Sequence, residues 1–214
     1  MANRNDLNAY MNMVDEVATN YTTTQAAQTY FNCIRQMING QSCDNIYKTI
    51  SELKAKTPQI KAFEILSLYA KGSSYYANLK DNQAKSTFDQ FLENSKNHQD
   101  LSYSRASAFY MKSEIYAAGY NYQSSLLNIN KALNELDNIP LDIGFKLFLT
   151  YKKMIRLGNL NQTQQNLQAG YDLLALAKKA DNKEYQIQAL NNIGSHYINS
   201  ALPNDRQKAA EYII

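Results

Sequence analysis

Apolar residues recur every three or four positions along nearly the whole chain, and residues that interrupt helices are scarce. Between Ala27 and Met37, for example, apolar side chains follow the spacing of one face of an α-helix. The 214 residues include only 7 Gly and 3 Pro, roughly a half and a third of average usage. A many-turned β-sandwich or barrel needs more turn residues than this, so the pattern predicts an all-α chain.

Short polar breaks divide this pattern into ten or eleven helices. One of them is predicted to start at Pro58, because proline is well tolerated in the first helical turn, where its missing N–H has no helical partner. No break is long enough to separate two domains, so the helices are predicted to form one continuous array. After the helix at Pro58, helices are predicted near 82–95, 100–119, 122–137, 142–157, 161–180, 184–200 and 205–214.

A small residue followed three positions later by a large one recurs along this array. Gly72 is followed by Tyr75, later copies of the pattern begin at Ser113 and Gly194, and a degenerate copy begins at Tyr151, where a large residue replaces the small one. The four anchors are separated by 41, 38 and 43 residues. Small residues let two helices approach closely, and a neighbouring large residue fills the groove beside them. A recurring pattern of this length predicts a helix-hairpin repeat.

Two stretches of the sequence resemble the tetratricopeptide repeat (TPR) family. The better match is 190–197, followed by 209–212, and the second runs from Tyr110 to Leu133. The resemblance covers roughly residues 60–214 and implies a right-handed α-solenoid of antiparallel helix hairpins. Residues 58–214 are therefore expected to be TPR-like repeats, and residues 1–57 to form divergent helices or a hairpin continuous with them.

The C-terminal sequence ends on Tyr212, Ile213 and Ile214, inside the second helix of an expected repeat. Solenoids need polar elements at their ends, and these residues are apolar. We therefore expect the repeats to be truncated at this end, as in a piece of a longer protein.

In the TPR family, the first helices of the hairpins line a concave groove that binds peptides. The matching positions carry aromatic, basic and amide side chains, which suit a peptide backbone or a carboxylate. Lys152 and Arg156 are spaced i and i+4 and are the expected charged contacts, the alternative being a solvated basic patch. The full candidate set is Tyr69, Ser73, Tyr76, Tyr110, Glu114, Phe148, Lys152, Arg156, Asn191, Ser195 and Asn199.

The sequence lacks the recognisable motifs of catalytic, cofactor-binding and metal-binding sites. There is no glycine-rich phosphate loop, nucleophile elbow or paired-cysteine zinc site, so no catalytic, cofactor-binding or metal-binding residue is predicted. The net charge of +3 is small and evenly spread, which argues against nucleic acid as a partner. No apolar run reaches the about 18 residues of a membrane span. The predicted partner is a protein or peptide.

Cys33 and Cys43 are the two cysteines, and they flank a predicted turn at Asn39-Gly40. A helical hairpin can bring such positions together, and a disulfide between them would indicate an oxidising compartment. Alternatively, Cys33 shares a face with Tyr30 and Met37 and is a free core thiol. The sequence leaves both possibilities open.

Two functions fit this sequence. The long, degenerate repeats resemble the sensory regions of bacterial signalling proteins of the diguanylate cyclase or histidine kinase type, which often lie outside the inner membrane. The alternative is a cytoplasmic peptide-responsive regulator or assembly scaffold, with two free thiols and an Asn-lined peptide site. In both cases the chain is expected to be a non-catalytic interaction or sensor domain.

Overall fold

A computed structural model of the chain describes residues 25–53, 57–137, 143–200, 203–210 and 212. These residues form ten α-helices and one short 3-10 helix, and they contain no strand. The chain divides into two compact units, which meet in sequence at Leu101 and Ser102. The α-helices are α1 (Gln25–Ile38), α2 (Ile46–Ser51), α3 (Pro58–Ala77), α4 (Asp81–Ser95), α5 (Ser102–Ala118), α6 (Tyr122–Leu136), α7 (Ile143–Asn159), α8 (Thr163–Lys179), α9 (Lys183–Ile198) and α10 (Pro203–Ala209).

The first unit is built around the hairpin of α3 and α4. Phe88 and Phe91 of α4 are fully buried in its core, and Tyr69 of α3 packs against both rings at 6.4 and 5.4 Å between centroids. Helices α1 and α2 pack on α3 through a second apolar cluster. That cluster contains Ala26, Cys33, Cys43, Ile46, Ile50, Ile60 and Ala70.

The second unit contains three hairpins in succession, namely α5–α6, α7–α8 and α9–α10. Its larger core cluster extends from Leu126 on α6 through Met154 on α7 and Leu173 on α8 to Ile193 on α9. Each of these helices therefore buries apolar surface against the helices before and after it. Each hairpin of this unit makes its main contacts with the hairpins that adjoin it in sequence.

The turns inside the hairpins α3–α4, α5–α6 and α7–α8 share one backbone conformation. A residue with positive φ ends the first helix in each case: Leu79 (57°), Tyr120 (58°) and Asn161 (55°). The next backbone N–H then donates to a carbonyl five residues earlier, as from Lys80 to Tyr75 at 2.9 Å. This Schellman geometry closes the helix end and reverses the chain within two or three residues. Gly40 and Asp181 end α1 and α8 in the same way.

Side chains cap several of the helix starts. Thr57 accepts a hydrogen bond from the Ile60 backbone N–H at 3.3 Å, and Pro58 occupies the first turn as predicted. The Asn121 and Asn182 side-chain oxygens accept from backbone N–H groups of α6 and α9 at 3.0 and 3.1 Å. Each cap satisfies a donor that the helix itself leaves unpaired. The short polar breaks in the sequence therefore contain both the stop and the start signals.

The left-handed residues also set the register of the repeat. Gly72 and Ser113 each lie seven residues before one of them, and the equivalent residue before Asn161 is Met154. The anchor proposed at Tyr151 is therefore wrong by three residues. With Met154 in its place, the first three anchors are 41 residues apart, as are the starts of α4, α6 and α8. Hydrophobic spacing alone does not distinguish positions one helical turn apart, which explains the error.

The all-α prediction and the antiparallel hairpins are confirmed. The helix bounds between Pro58 and residue 200 agree with the predicted ones to within a few residues, whereas the last helix, predicted over 205–214, ends at Ala209. The division into segments 1–57 and 58–214 stays a prediction. Much of the first segment and the apolar C-terminal end at Ile213 and Ile214 lie outside the described residues.

Gly72 is required by the crossing of α3 and α4. A Cβ atom at this position would lie 2.6 Å from Cε1 of Phe88, whose ring is fully buried. We predict that Gly72→Ala lowers the free energy of unfolding by about 1–3 kcal/mol, because overpacking forces the ring to move. Urea-induced unfolding followed by circular dichroism measures the change.

Gly158→Ala is the matched control, since Gly158 is exposed near the end of α7 and an added Cβ has its nearest neighbour at 3.4 Å. This change should be neutral or raise stability by up to about 1 kcal/mol, because alanine favours a helix more than glycine. Equal losses in the two variants would contradict the packing argument.

Candidate functional site

Four aromatic side chains from α5 and α7 form a continuous group in the second unit. Tyr103 contacts Phe145 at 5.4 Å between ring centroids, and Tyr110 contacts Phe148 at 5.0 Å. Phe145 and Phe148 lie 6.4 Å apart with nearly parallel planes. Tyr103 is 48% exposed, and the other three rings are half-buried. We call these four residues the aromatic face.

A charged triad borders the aromatic face. Glu114 of α5 accepts from the Lys152 ammonium at 2.9 Å and from the Arg156 guanidinium at 2.6 Å, one cation on each carboxylate oxygen. The Lys152 ammonium also lies 5.3 Å from the ring centre of Phe148 and 5.9 Å from that of Tyr110. The triad carries a net positive charge, since two cations share one carboxylate.

The Arg156 end of the triad is buried. Its side chain is 10% exposed, and its Nε donates to the Ser125 hydroxyl of α6 at 2.9 Å. Ser125 in turn shares a hydrogen bond of 2.8 Å with Ser113 of α5. This network joins three helices and leaves Lys152, whose side chain is 20% exposed, as the cation nearer to solvent.

The predicted groove residues fall into three groups. The first group comes together on α5 and α7 through the ring and ion-pair contacts given above. It contains Tyr110, Glu114, Phe148, Lys152 and Arg156. The α3 candidates belong to the first unit: Tyr69 packs on the hairpin core, Ser73 donates to the Tyr69 carbonyl at 2.9 Å, and Tyr76 is half-buried. The α9 candidates Asn191, Ser195 and Asn199 are exposed, and the last two line a separate cleft.

This cleft lies between the C-terminal halves of α7 and α9 and the first turn of α8. It has a volume of about 510 Å³, and none of its lining residues has an aliphatic side chain. Its lining residues share amide, hydroxyl or other polar groups, apart from Gly158. They are Asn161, Gln162, Thr163, Gln164, Asn166, Asn192, Ser195, His196, Asn199, Ser200 and Asp205. We call it the amide cleft.

Two asparagines connected in series belong to this lining. The Asn166 side chain donates to the Met154 carbonyl of α7 at 2.7 Å. Its own oxygen accepts from the Asn192 side chain of α9 at 3.0 Å. The Asn192 oxygen is buried and accepts no hydrogen bond from any described residue. These bonds hold both amides in fixed orientations across three helices.

Sequence reasoning missed several of these residues. Tyr103 lies two helical turns before Tyr110, and Phe145 lies one turn before Phe148, so helical periodicity alone places each pair on one face. Asn166 and Asn192 had no comparable signal. Their pairing depends on which helices are neighbours, which the spacing within one helix does not contain.

Within the described ranges, no three His, Cys, Asp or Glu side chains lie close enough together to hold a metal ion. None of the described helices has the length and apolarity needed to cross a bilayer.

In the first unit, Cys33 and Cys43 form a disulfide, with Cα atoms 5.6 Å apart. Both side chains are buried next to a polar cluster centred on Asp44. Asp44 accepts from Ser74 at 3.0 Å and from Lys80 at 2.9 Å. Partial burial opposes ionisation, but the hydrogen bonds from Ser42, Lys80 and Ser74 outweigh it and lower the pKa of Asp44. The disulfide therefore lies beside a group of hydrogen-bonded polar side chains.

Comparison with known proteins identifies the class of fold. No family model matches the sequence, and no curated protein matches it. Solved structures do match. BtubC (BKLC) from P. vanneervenii superposes with a TM-score of 0.66 at 12% identity, covering 95% of this chain and 84% of that one. A structure of nearly identical TPR-like repeats from Podosopora anserina superposes with a TM-score of 0.59 at 14% identity, covering 86% of this chain and 90% of that one.

These likenesses show that the chain has the TPR-like helical repeat fold, and they confirm the resemblance found in the sequence. At such low identities they show the fold alone. The features of this chain that bear on its function are therefore the aromatic face, the charged triad and the amide cleft.

The charged triad yields a stability prediction. We expect Glu114→Ala to lower the free energy of unfolding by about 2–4 kcal/mol, because Arg156 is then left as a buried cation without its carboxylate. Chemical unfolding of the variant measures this change.

The control is Asp137→Ala, which removes a carboxylate from the exposed pair with Lys146. Exposed pairs contribute about 0–1 kcal/mol, so this variant should remain near wild type. A loss at Glu114 no larger than that at Asp137 would show that the triad does not stabilise the fold.

Proposed function

We propose that the chain is a non-catalytic protein-interaction module that binds a polypeptide segment on the aromatic face. The segment expected there combines apolar side chains, which pack on the four rings, with a carboxylate that pairs with Lys152. The proposal concerns the second unit, where α5 and α7 supply all of these groups.

The main support for this proposal is that four aromatic rings in mutual contact are partly exposed. They lie on the first helices of two successive hairpins. Aromatic side chains lose little conformational freedom on binding and supply large contact areas, so they dominate the energetics of many interfaces. Exposed aromatic surface of this kind is more stable when buried against a partner than when left in water.

Charge supports the choice of an acidic segment. Lys152 has already given one hydrogen bond to Glu114, but an ammonium group has three donors. The net positive charge of the triad favours an incoming carboxylate beside Glu114. Arg156 is a poorer contact, since its Nε and one terminal nitrogen are already bonded to Ser125 and Glu114.

The test uses a phage-displayed library of random twelve-residue peptides selected on the immobilised chain. Selected peptides should be enriched in acidic and apolar residues, and Phe148→Ala should weaken their binding at least about tenfold, since central aromatic residues are common hot spots. Lys152→Met should reduce binding of the acidic peptides selectively. Isothermal titration calorimetry with synthetic copies measures both effects.

Leu127→Ala is the matched control, because Leu127 is a 54% exposed apolar residue on α6, outside the aromatic face. It should leave the affinities unchanged. Selected peptides whose binding survives Phe148→Ala, or a selection that yields no binder at all, would refute the proposed face.

We also propose that the chain is a sensory segment of a bacterial signalling protein of the diguanylate cyclase or histidine kinase type. In that protein it works outside the inner membrane. The Cys33–Cys43 disulfide supports this over a cytoplasmic peptide-responsive regulator or assembly scaffold, because disulfides persist in oxidising compartments.

Thiol counting tests this context. Protein matured in its native compartment, denatured without reductant and treated with an alkylating reagent, should show no labelled cysteine by mass spectrometry. Reduction before alkylation is the control and should label both residues. Two labelled cysteines without reduction would favour the cytoplasmic alternative.

A further inference from the structure

We propose that a groove between α6 and α8 binds an amphipathic α-helix of a partner protein, with apolar residues at positions i and i+7 of that helix and a carboxylate between them. The groove lies on the second helices of two successive hairpins, whereas the aromatic face lies on the first helices α5 and α7. The inference therefore goes beyond the proposed function and does not rest on it. We call this surface the α6–α8 groove.

Two cavities of about 310 and 530 Å³ follow each other along the α6–α8 groove. Asn130 of α6, Lys153 of α7 and Asp172 of α8 line both of them, so the two cavities are continuous. Helices α6 and α8 both pack on α7, which therefore forms the floor. All of these residues belong to the second unit.

Leucine side chains lie at both ends of the groove. Leu126 and Leu157 line the smaller cavity, and Leu133 and Leu176 line the larger one. Leu126 and Leu133 are two turns apart on α6, which is about 10.5 Å along the helix axis. Residues i and i+7 of a partner helix span the same distance on one face. Same-face residues of an extended strand recur at multiples of about 6.6 Å and do not match this spacing.

The cation between the two ends has no carboxylate partner. Lys153 is half-buried, and its ammonium group makes no hydrogen bond or ion pair with any residue in the described ranges. Other charges along the groove do have partners. Lys146 pairs with Asp137 at 2.7 Å, and Asp172 accepts from the Gln168 side chain at 2.9 Å. An ammonium group with three available donors on the floor of a groove favours an incoming carboxylate.

The order of these groups favours a helix over a lipid-like ligand. A fatty acid carries its charge at one end of an apolar chain, whereas Lys153 lies between apolar ends. A partner helix can place an acidic residue at i+3 or i+4, between its apolar residues at i and i+7 and on the same face. Because a helix pairs its own backbone groups, it needs no main-chain partners from the groove.

The experiment selects helices on the full chain carrying Phe148→Ala, which removes a ring of the aromatic face. The displayed library consists of alanine-based helical peptides randomised at positions i, i+3, i+4 and i+7. We expect apolar residues at i and i+7 and an acidic residue at i+3 or i+4. In ¹³C–¹H spectra, synthetic copies should shift the methyl signals of Leu126, Leu133, Leu157 and Leu176.

Substitution of Lys153 gives the second readout. Lys153→Met should weaken binding at least about tenfold, as expected for the loss of a hydrogen bond between charged groups. Lys153→Glu should abolish binding, and replacing the acidic residue of the peptide by lysine should restore it. Lys178→Met is the matched control, since Lys178 is an exposed lysine of α8 that lines neither cavity. Circular dichroism of the free variants checks that each one is folded.

Four results would overturn the proposal. The first is a selection that yields no binder, and the second is binding that survives Lys153→Met unchanged. The third is a shift of the leucine methyl signals by dodecanoate but by none of the peptides, which would identify a lipid-like ligand. The fourth is a dimer of the free chain, seen by analytical ultracentrifugation, that Lys153→Glu dissociates, which would place a second copy in the groove.

Discussion

The turns of three hairpins, α3–α4, α5–α6 and α7–α8, each depend on one left-handed residue at the end of the first helix. Leu79, Tyr120 and Asn161 reverse the chain so quickly that the second helix begins two residues later. Leucine and tyrosine adopt this conformation at a cost of roughly 1–2 kcal/mol. The fold bears this cost because the reversal lets the apolar faces of the two helices meet over their full length, as at Gly72 and Phe88.

One position of the repeat has a different role in each of three successive hairpins. Ala84, Ser125 and Asn166 are equivalent residues of α4, α6 and α8, each separated from the next by 41 positions. Ala84 is simply buried. Ser125 accepts from Arg156 and so fixes one end of the charged triad, while Asn166 is fixed to α7 in the amide cleft. The same position therefore packs in the core of one hairpin, supports an ion pair in the next and places a side-chain amide in a cleft in the third.

The sequence was sufficient for the class of fold and for most helix bounds, since periodicity and scarce glycine and proline are local properties. It located the break at Tyr120-Asn121, between the helices predicted near 100–119 and 122–137, although tyrosine is not a turn signal. It placed Lys152 and Arg156 on one helix face, and both side chains pair with Glu114. It did not reveal that Glu114 lies between them or that Asn192 reaches Asn166, because these contacts depend on helix neighbours and on the register of the third repeat.

The network of Arg156, Ser125 and Glu114 also bears on how the second unit opens. In a linear array, stability is approximately the sum of a value for each hairpin and a value for each boundary between neighbours. This network crosses the boundary between α5–α6 and α7–α8, and it breaks when either hairpin detaches. We therefore expect these two hairpins to open as one unit in local unfolding, with their amide protons exchanging with solvent together.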